Sequence, residues 1–418
     1  GFGGIGAGGG LIMSGHNKKR PIYLDNHATT PVDPAVLNVM LPYYQEKFGN
    51  PHSGTHFYGW EAREAVELVR EQIAALIGAE PGEIYFTSGA TESNNLAIKG
   101  VARMYRGRKD HMVSCVSEHM CVLDSMFHVE REGTKVTYLE VGNDGLIDLG
   151  ALADAITDDT ILVSIMTVQN EIGVIQPMAE IGAICRERGA FLHTDAAQAV
   201  AKMPIDVKAM KIDLLSLTAH KFYGPMGIGA IYIGRKPKVR LEPIFSGGGQ
   251  ENNFRSGTLP APLCVGLGKA CELGLAALAE EPARLGEMRD HLLGRLQVAL
   301  PGIHVNGGMA HRVPGNLNIS FEGVRAEDIM AAVPDLAISS GSACTSESDE
   351  SSYVLRAIGL SNDLAESSLR FGLGRFTTPE EVDYAADRLI AEISRLRQEK
   401  RDAGISTGAT APVLDEVK

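Results

Sequence analysis

The sequence predicts an α/β fold: a large domain with a mainly parallel sheet flanked by helices, followed by a smaller α+β domain. Three observations predict it. From about Phe57, short apolar runs of strand length alternate with segments whose apolar residues recur at helical spacing. Strands buried on both faces read as continuous apolar runs, and their alternation with helices is the signature of a parallel sheet. After about Pro262 the pattern changes to a long stretch rich in alanine and leucine, and 418 residues are enough for two domains.

Taken in order, Gly1 to Gly10 are mostly glycine and cannot hold a helix. Lys18, Lys19 and Arg20 come after this run, the wrong order for a signal peptide. Residues 1–20 are therefore expected to be a flexible leader, or an appended remnant with Met13 as a candidate native start. Residues 21–275 are expected to form the large domain, with the first of them in a position to pack on the small one. Ala62, Ala65, Val66, Val69, Ile73, Leu76 and Ile77 recur at helical spacing, and Gly78 stops that helix. Ile84–Phe86 reads as a strand that runs through Thr87–Thr91 into another helix. Further strands are expected at Met112–Val116, Val136–Leu139, Ile161–Met166, Phe191–His193, Leu214–Leu217 and Ile228–Ile233, with helices at Leu149–Ile156 and Met178–Arg188 between some of them. One helical stretch is expected from Pro262 to about Leu300. Residues 276–402 form the small domain: a strand at Leu317–Phe321, a loop around Cys344, a strand at Ser368–Gly372 and a final helix. That helix has Thr378 as N-cap, Pro379 at its first position and Glu381 completing a capping box. Residues 403–418 are expected to fray.

Hydrophobic residues make up 44% and charged residues 22%, ordinary for a soluble enzyme. No run approaches the roughly 20 apolar residues of a membrane span, and a net charge of −13 argues against a basic nucleic-acid surface. Neither nucleic acid nor membrane is expected as a partner. The six cysteines form no CxxC pair and no zinc-finger spacing, which fits free thiols in the reducing cytoplasm.

Four segments carry chemistry. Lys221 follows the apolar strand 214–217 in Thr218-Ala219-His220-Lys221, before Phe222 and Tyr223. An amine at the mouth of a parallel sheet, in apolar and aromatic surroundings, loses its charge more easily and can form a Schiff base with an aldehyde cofactor. An arbitrary loop lysine is merely solvated, so Lys221 proves little alone. Asp195, in His193-Thr194-Asp195-Ala196-Ala197-Gln198, is also at a strand end, where ligands of open α/β sheets bind. It reads either as the partner of a protonated pyridine nitrogen or as a helix N-cap. Thr87–Thr91, glycine and hydroxyls between strand and helix, reads either as an anion site or as simple capping. Cys344 lies among serines and glycine with acidic residues following, the setting of an exposed reactive loop. Cys115, Cys185, Cys264 and Cys271 read as buried small hydrophobes; Cys121, close after His119, is left open.

Together these segments resemble one family, the NifS/IscS-type cysteine desulfurases, class V aminotransferases of the aspartate-aminotransferase-like, pyridoxal-phosphate (PLP) fold type I. The resemblance runs from about Pro21 to Leu396. Its strings are Tyr23-Leu24-Asp25-Asn26-His27-Ala28-Thr29-Thr30-Pro31, Gly89-Ala90-Thr91-Glu92-Ser93, Asn170-Glu171-Ile172-Gly173, His220-Lys221, Arg255-Ser256-Gly257-Thr258-Leu259-Pro260 and the Cys344 loop.

The resemblance implies that Lys221 holds pyridoxal 5'-phosphate. It implies that Asp195 pairs with the pyridine nitrogen, that Gln198 hydrogen-bonds the ring hydroxyl and that His119 stacks on the ring and shuttles protons. Thr91 with the Ala90 backbone, Thr218 and His220 would hold the phosphate. Thr258 would reach the phosphate of a neighbouring subunit, which implies a homodimer. Arg370 would clamp the substrate carboxylate, with Asn170 beside cofactor and substrate. The implied reaction converts L-cysteine to L-alanine: the Lys221 amine removes the α-proton, and the Cys344 thiolate takes the sulfur as a persulfide. A free thiol of pKa about 8.5 is mostly protonated at neutral pH, so His119 or the substrate amine would help ionise it. Sulfur-acceptor or iron–sulfur scaffold proteins are the implied partners, for cluster assembly or thiolation. No metal is expected within the site, beyond a transient iron–sulfur contact at Cys344.

Thr218 stands where many relatives have serine, with the hydroxyl kept. The tail after about Lys400 does not match the carboxyl end with which IscS-type enzymes dock their scaffold. The alternative is a selenocysteine lyase or another PLP-dependent sulfur-transfer enzyme of the family, but the stretch from Cys344 through Tyr353-Val354-Leu355-Arg356 fits the longer-loop branch. A nicotinamide dehydrogenase is disfavoured because no GxGxxG follows an early strand with the expected acidic residue, and a non-catalytic scaffold would be free to lose Lys221 or Cys344.

Overall fold

The computed structural model describes residues 20–340 and 351–404. The expected leader, Cys344 and nearly all of the expected tail lie outside these residues.

Seven strands form the large sheet: β1 (Ile84–Thr87), β2 (His111–Cys115), β3 (Lys135–Leu139), β4 (Thr160–Ser164), β5 (Phe191–Asp195), β6 (Leu214–Thr218) and β7 (Gly229–Ile233). Their order is β1-β7-β6-β5-β4-β2-β3; β7 runs antiparallel to both neighbours and the other pairs are parallel. Every residue of β2, β4, β6 and β7 is buried, which is why these strands are unbroken apolar runs with a few hydroxyls. The edge strand β3 alternates exposed and half-buried positions instead.

Helices cover both faces. On one, α1 (Phe57–Ile77) brings Val66, Val69 and Ile73 into a core that also holds Val113, Val163 and Leu215. On the other, α2 (Ala90–Tyr105) and α3 (Met120–Arg131) pack Leu96, Val101, Val122 and Met126 against Met112, Leu162 and Leu214. The stretch expected as one helix from Pro262 to Leu300 is two, α4 (Ala261–Ala277) and α5 (Glu281–Ala299), bent by 73° at the break. Pro282 accounts for this: it has no N–H to donate, and its ring would strike the Leu278 carbonyl of a continuous helix. Among the described residues no single helix is long and apolar enough to cross a membrane.

A second core belongs to the small antiparallel sheet. Its strands β8 (Ile303–Val305), β9 (Asn316–Phe321) and β10 (Ser368–Gly372) lie in the order β10-β9-β8, under α5 and the final helix α6 (Pro379–Asp402). Leu24 is buried in this core, and Ile22–Tyr23 pairs in parallel with Leu336–Ala337. The described residues therefore begin on the small-sheet core and cross to the large-sheet core at residues 25–28, where the two cores meet.

Candidate active site

Lys221 ends a short helical turn (Ala219–Lys221) directly after β6. Its Nζ donates to the carbonyl oxygens of His27 at 2.9 Å and Ala28 at 2.7 Å. The same four-residue crossing touches three other groups. Asp25 Oδ1 accepts from Arg370 Nη2 at 2.9 Å, Asn26 Nδ2 donates to the Gly372 carbonyl at 2.8 Å, and Gln198 Nε2 donates to the His27 carbonyl at 2.8 Å. Gly372 permits the approach: a Cβ there would lie 2.8 Å from Asn26 N and 2.9 Å from His27 N. His27 itself is buried, and burial first, then the charges of Lys202 and Arg370, push its imidazole well below its ordinary pKa, so the ring is neutral.

Asp195 is buried at the carboxyl end of β5. Its Oδ1 accepts the Ala197 N–H at 2.9 Å, a local turn contact, and its Oδ2 accepts Asn94 Nδ2 of α2 at 2.7 Å. No helix directly follows Asp195, so it closes a turn rather than capping a helix, and each oxygen keeps one lone pair for a further donor such as a protonated ring nitrogen. Asn94 also donates to Cys121 Sγ at 3.2 Å, and Cys121 Sγ lies 3.1 Å from His119 Nδ1. His119 caps α3, its Nδ1 accepting the Cys121 N–H at 3.2 Å, which assigns the ring proton of a neutral imidazole to Nε2. Cys121, which the sequence left open, thus joins the site.

The turn Thr87–Thr91 opens the 16-residue α2, whose first-turn amides have no intrahelical acceptor. Gly89, at φ +152°, rests on β7 at Gly229, where a Cβ would lie 2.7 Å from the Gly89 Cα. Thr218 ends β6 beside it, with Oγ1 only 3.4 Å from the Ile228 carbonyl. His220 Nδ1 lies 3.0 Å from Thr29 Oγ1, and burial first, then Lys221 and Lys202, lower its pKa to about 4. Amides at a helix N-terminus, two threonine hydroxyls and an imidazole make a donor set suited to a phosphate. With the Lys221 amine and the Asp195 carboxylate, these residues fit pyridoxal phosphate. Two buried atoms without a partner among the described residues, His27 Nε2 and Asn94 Oδ1, belong to residues that touch Gln198 and Asp195, respectively.

Arg370, on β10, is buried among acceptors: Nη1 donates to the Asn170 carbonyl at 3.0 Å, and Nη2 to Asp25. Its Nε is buried without a partner among the described residues. Asn170 meets Arg370 through its backbone, while its side-chain Oδ1 lies 3.4 Å from Gln169 Nε2. Beside it the Glu171 carboxyl accepts Ser352 Oγ–H at 2.6 Å, and burial raises its pKa to about 7 against the lowering effects of Ser352, Arg370 and His119. Tyr353 Oη donates to the Glu118 carbonyl at 2.6 Å, and on the other flank of the Cys344 segment the Arg370 N–H donates to the Ser339 carbonyl at 2.7 Å.

Lys221, Gln198 and Arg370 are thus joined through residues 25–28, and Asp195 and His119 through Asn94 and Cys121. Ala90, Thr91, Thr218 and His220 surround the mouths of β6 and β7. Thr258 is exposed, and Cys344 lies outside the described residues. Asp25, His27, Asn94, Glu171 and Lys202 had no role assigned from the sequence. The string Asp25–Ala28 was legible as a motif, but nothing in it announces that its backbone carbonyls hold the lysine.

The model of the family described as aminotransferase class-V matches residues 22–385. The chain is 54% identical over 383 residues to a protein named cysteine desulfurase IscS from Rickettsia felis, covering 92% of this chain and 93% of that one. It is 57% identical over 379 residues to a protein named cysteine desulfurase from Homo sapiens, covering 91% of this chain and 83% of that one. A solved structure titled NifS-like protein superposes with a TM-score of 0.84 at 34% identity, covering 90% of this chain and all (100%) of the other.

Proposed function

The chain belongs to the class-V aminotransferase family, and on that premise we propose that it is a pyridoxal-phosphate-dependent cysteine desulfurase that moves sulfur from L-cysteine to Cys344. The observation that carries this reading is the crossing at residues 25–28, which gathers the Lys221 amine, the Gln198 amide and the Arg370 guanidinium at the carboxyl ends of the strands.

Lys221 would hold the cofactor, with Asp195 and Gln198 at its ring, His119 over it, and the α2 N-terminus, Thr91, Thr218 and His220 at its phosphate. When bound, the cofactor supplies an aldehyde for an amine and an electron sink for the bond broken at the substrate α-carbon. Arg370 binds the substrate carboxylate: a guanidinium presents a planar fork to it, and the Nε–H has no partner among the described residues. Lys221 Nζ would take the α-proton of the substrate. The Cys344 thiolate forms a bond to the substrate sulfur as the bond from that sulfur to the substrate β-carbon breaks. Two electrons pass to carbon, which takes up a proton to give alanine, and Cys344 keeps the sulfur as a persulfide. Ser339, Ser352 and Tyr353, the described residues flanking the Cys344 segment, contact Arg370, Glu171 and Glu118; this supports a Cys344 that works at this site.

The persulfide is delivered to acceptor or scaffold proteins. The enzyme works as a homodimer, a reading supported by the exposed Thr258 and by the exposed Phe48 and Phe57, Tyr58 and Trp60 of the first turn of α1. Free cysteines at 115, 121, 185, 264 and 271 favour a reducing compartment, the cytoplasm. Cys344→Ala tests the central step. The variant is expected to keep its visible absorption and a borohydride-reducible bond at Lys221, and to lose sulfide release from cysteine. Undiminished desulfuration rejects the role of Cys344, and an unmodified Lys221 peptide after reduction rejects the cofactor assignment.

A further inference from the structure

Behind Lys221 lies a cavity of about 30 Å³ between the two domains, and a second amine, that of Lys202, lines it together with Lys221, His27 and Glu281. The chain reaches this arrangement at a cost. Ala201, the residue before, has φ +61°, a left-handed conformation that disfavours a side chain. Lys202, the next residue, points into the cavity. Its Nζ donates to Gln198 Oε1 at 2.5 Å, and the same oxygen lies 3.1 Å from His27 Nδ1.

We propose that Lys202 is a positioning residue: its amine locks the Gln198 side chain in one orientation and, through it, the His27 carbonyl that receives Lys221. The inference rests on the reading of the site as a pyridoxal-phosphate site. The physical reason is the near-symmetry of an amide. Flipping Gln198 would set its NH2 group against the Lys202 amine and its oxygen against the His27 carbonyl, so two favourable contacts would become two repulsive ones. In the observed orientation Nε2 spends one hydrogen on the His27 carbonyl, 2.8 Å away, and has a second for a ring oxygen. The His27 carbonyl is also the acceptor, at 2.9 Å, of Lys221 Nζ. Lys202, Gln198, His27 and Lys221 therefore form one connected chain of hydrogen bonds.

The charges that act on the Lys202 amine are Lys221 and Arg370 of β10, of like sign, and Glu281 of α5, of opposite sign; His27 and His220 are neutral. Burial first, then Lys221 and Arg370, bring the Lys202 pKa down to about 7. Protonated or not, the amine keeps an N–H for Gln198. When charged, it also opposes a proton on the Lys221 nitrogen.

The test compares holoenzyme with Lys202→Met, which keeps the length of the stem, and with Lys202→Arg, by two readouts independent of turnover. The first is the pH midpoint of the visible absorption of the Lys221-bound cofactor; the second is the rate of cofactor loss on dialysis. In Lys202→Met the midpoint is expected to rise by about half a pH unit or more, since a neighbouring positive charge is gone, and cofactor loss to accelerate severalfold; Lys202→Arg restores the midpoint. Wild-type values for both readouts in Lys202→Met overturn the proposal. If that variant does not fold, Lys202→Gln keeps a donor without the charge. Its retention should then match wild type with a raised midpoint, and an unmoved midpoint overturns the proposal. Failure of the wild-type protein to carry a Lys221-bound cofactor is a different outcome, which rejects the reading of the site itself.

Discussion

Lys221 and Arg370 grip opposite ends of one four-residue crossing, so the amine and the guanidinium are set at a fixed spacing by Asp25 and by the carbonyls of His27 and Ala28. Glu171 adds a titrating group next to them. Its pKa is raised to about 7, burial being the largest cause, whereas an unfolded glutamate ionises near about 4.3. The folded protein therefore holds one more proton than the unfolded chain between those values. Stability from this group is full below the unfolded pKa and is lost as pH rises towards the folded one, by about 4 kcal/mol in all. Glu171→Gln, neutral at every pH and of the same shape, is expected to flatten this part of the pH dependence. Urea unfolding of wild type and variant at pH 5 and pH 8 checks it: the difference between the two proteins should change by a few kcal/mol, and equal slopes reject the assignment. Glu171 could not be read as a titrating group from the sequence, where it is one letter of a motif; its burial and its Ser352 partner, 181 positions away, exist only in the fold. Asp195 and Lys221 could be singled out in the sequence because one ends an apolar strand and the other lies three residues past one. Lys202 could not, because its contacts with Gln198 and, through it, with His27 from early in the chain exist only in the fold.

At the scale of elements, the buried strands announced themselves, as did the half-exposed edge strand β3, expected at Val136–Leu139; the short strand β8 did not. Strands β2, β4, β6 and β7 bury every residue, and their apolar runs are visible in the sequence. Strand β8 is three residues long and mostly half-buried, a pattern no periodicity can mark. The break between α4 and α5 was carried by one residue, Pro282, inside a stretch otherwise favourable to helix. Strand β10 has a more consequential feature at its end. Gly372 is where the crossing at residues 25–28 lies on the small sheet, and a Cβ there would press on the backbone of Asn26 and His27 at 2.8 and 2.9 Å. Backbone cannot swing aside as a side-chain tip can, so Gly372→Ala must push the crossing away from β10. The expected result is a loss of about 1–3 kcal/mol in stability, the usual penalty of overpacking, together with faster cofactor loss. Denaturant unfolding and dialysis of the holoenzyme measure the two. Wild-type stability with wild-type retention means that the crossing is held by something other than its approach to β10.

At the scale of the molecule, the site lies where two cores meet, and it draws on both: Lys221, Asp195 and Gln198 from the large sheet, Arg370 from the small one. Arg375 reaches from the small-sheet side to Asp33 at 3.2 Å and stacks on Tyr223 with its guanidinium 4.3 Å from the ring centre, while its ion pair to Glu281 of α5 at 2.9 Å holds it on its own side. One chain nevertheless leaves an unusual surface bare. Phe48, Phe57 and Trp60 are more than half exposed, at 65%, 67% and 54%, and Phe48 stacks on Tyr58 with ring centres 5.3 Å apart. Aromatic rings grouped at the surface are characteristic of interfaces, and a second copy of the chain is the proposed occupant. Trp60 is the place to test this, because tryptophan is the residue type most often dominant in interface energetics. Trp60→Glu would bring a carboxylate into an apolar contact, and its side chain contributes little inside one chain beyond an indole N–H donated to the Gly54 carbonyl at 2.8 Å. The substitution should weaken self-association by at least about 2 kcal/mol, roughly thirtyfold in dissociation constant. Sedimentation should then find half-mass species at concentrations where wild type is a dimer, with circular dichroism unchanged. If Thr258 reaches the neighbouring subunit's phosphate site, cofactor retention should fall with the dimer as protein is diluted. A variant that keeps full dimer mass at every concentration removes this face from the interface. One that dissociates but keeps its cofactor leaves the interface standing and removes Thr258 from the phosphate site.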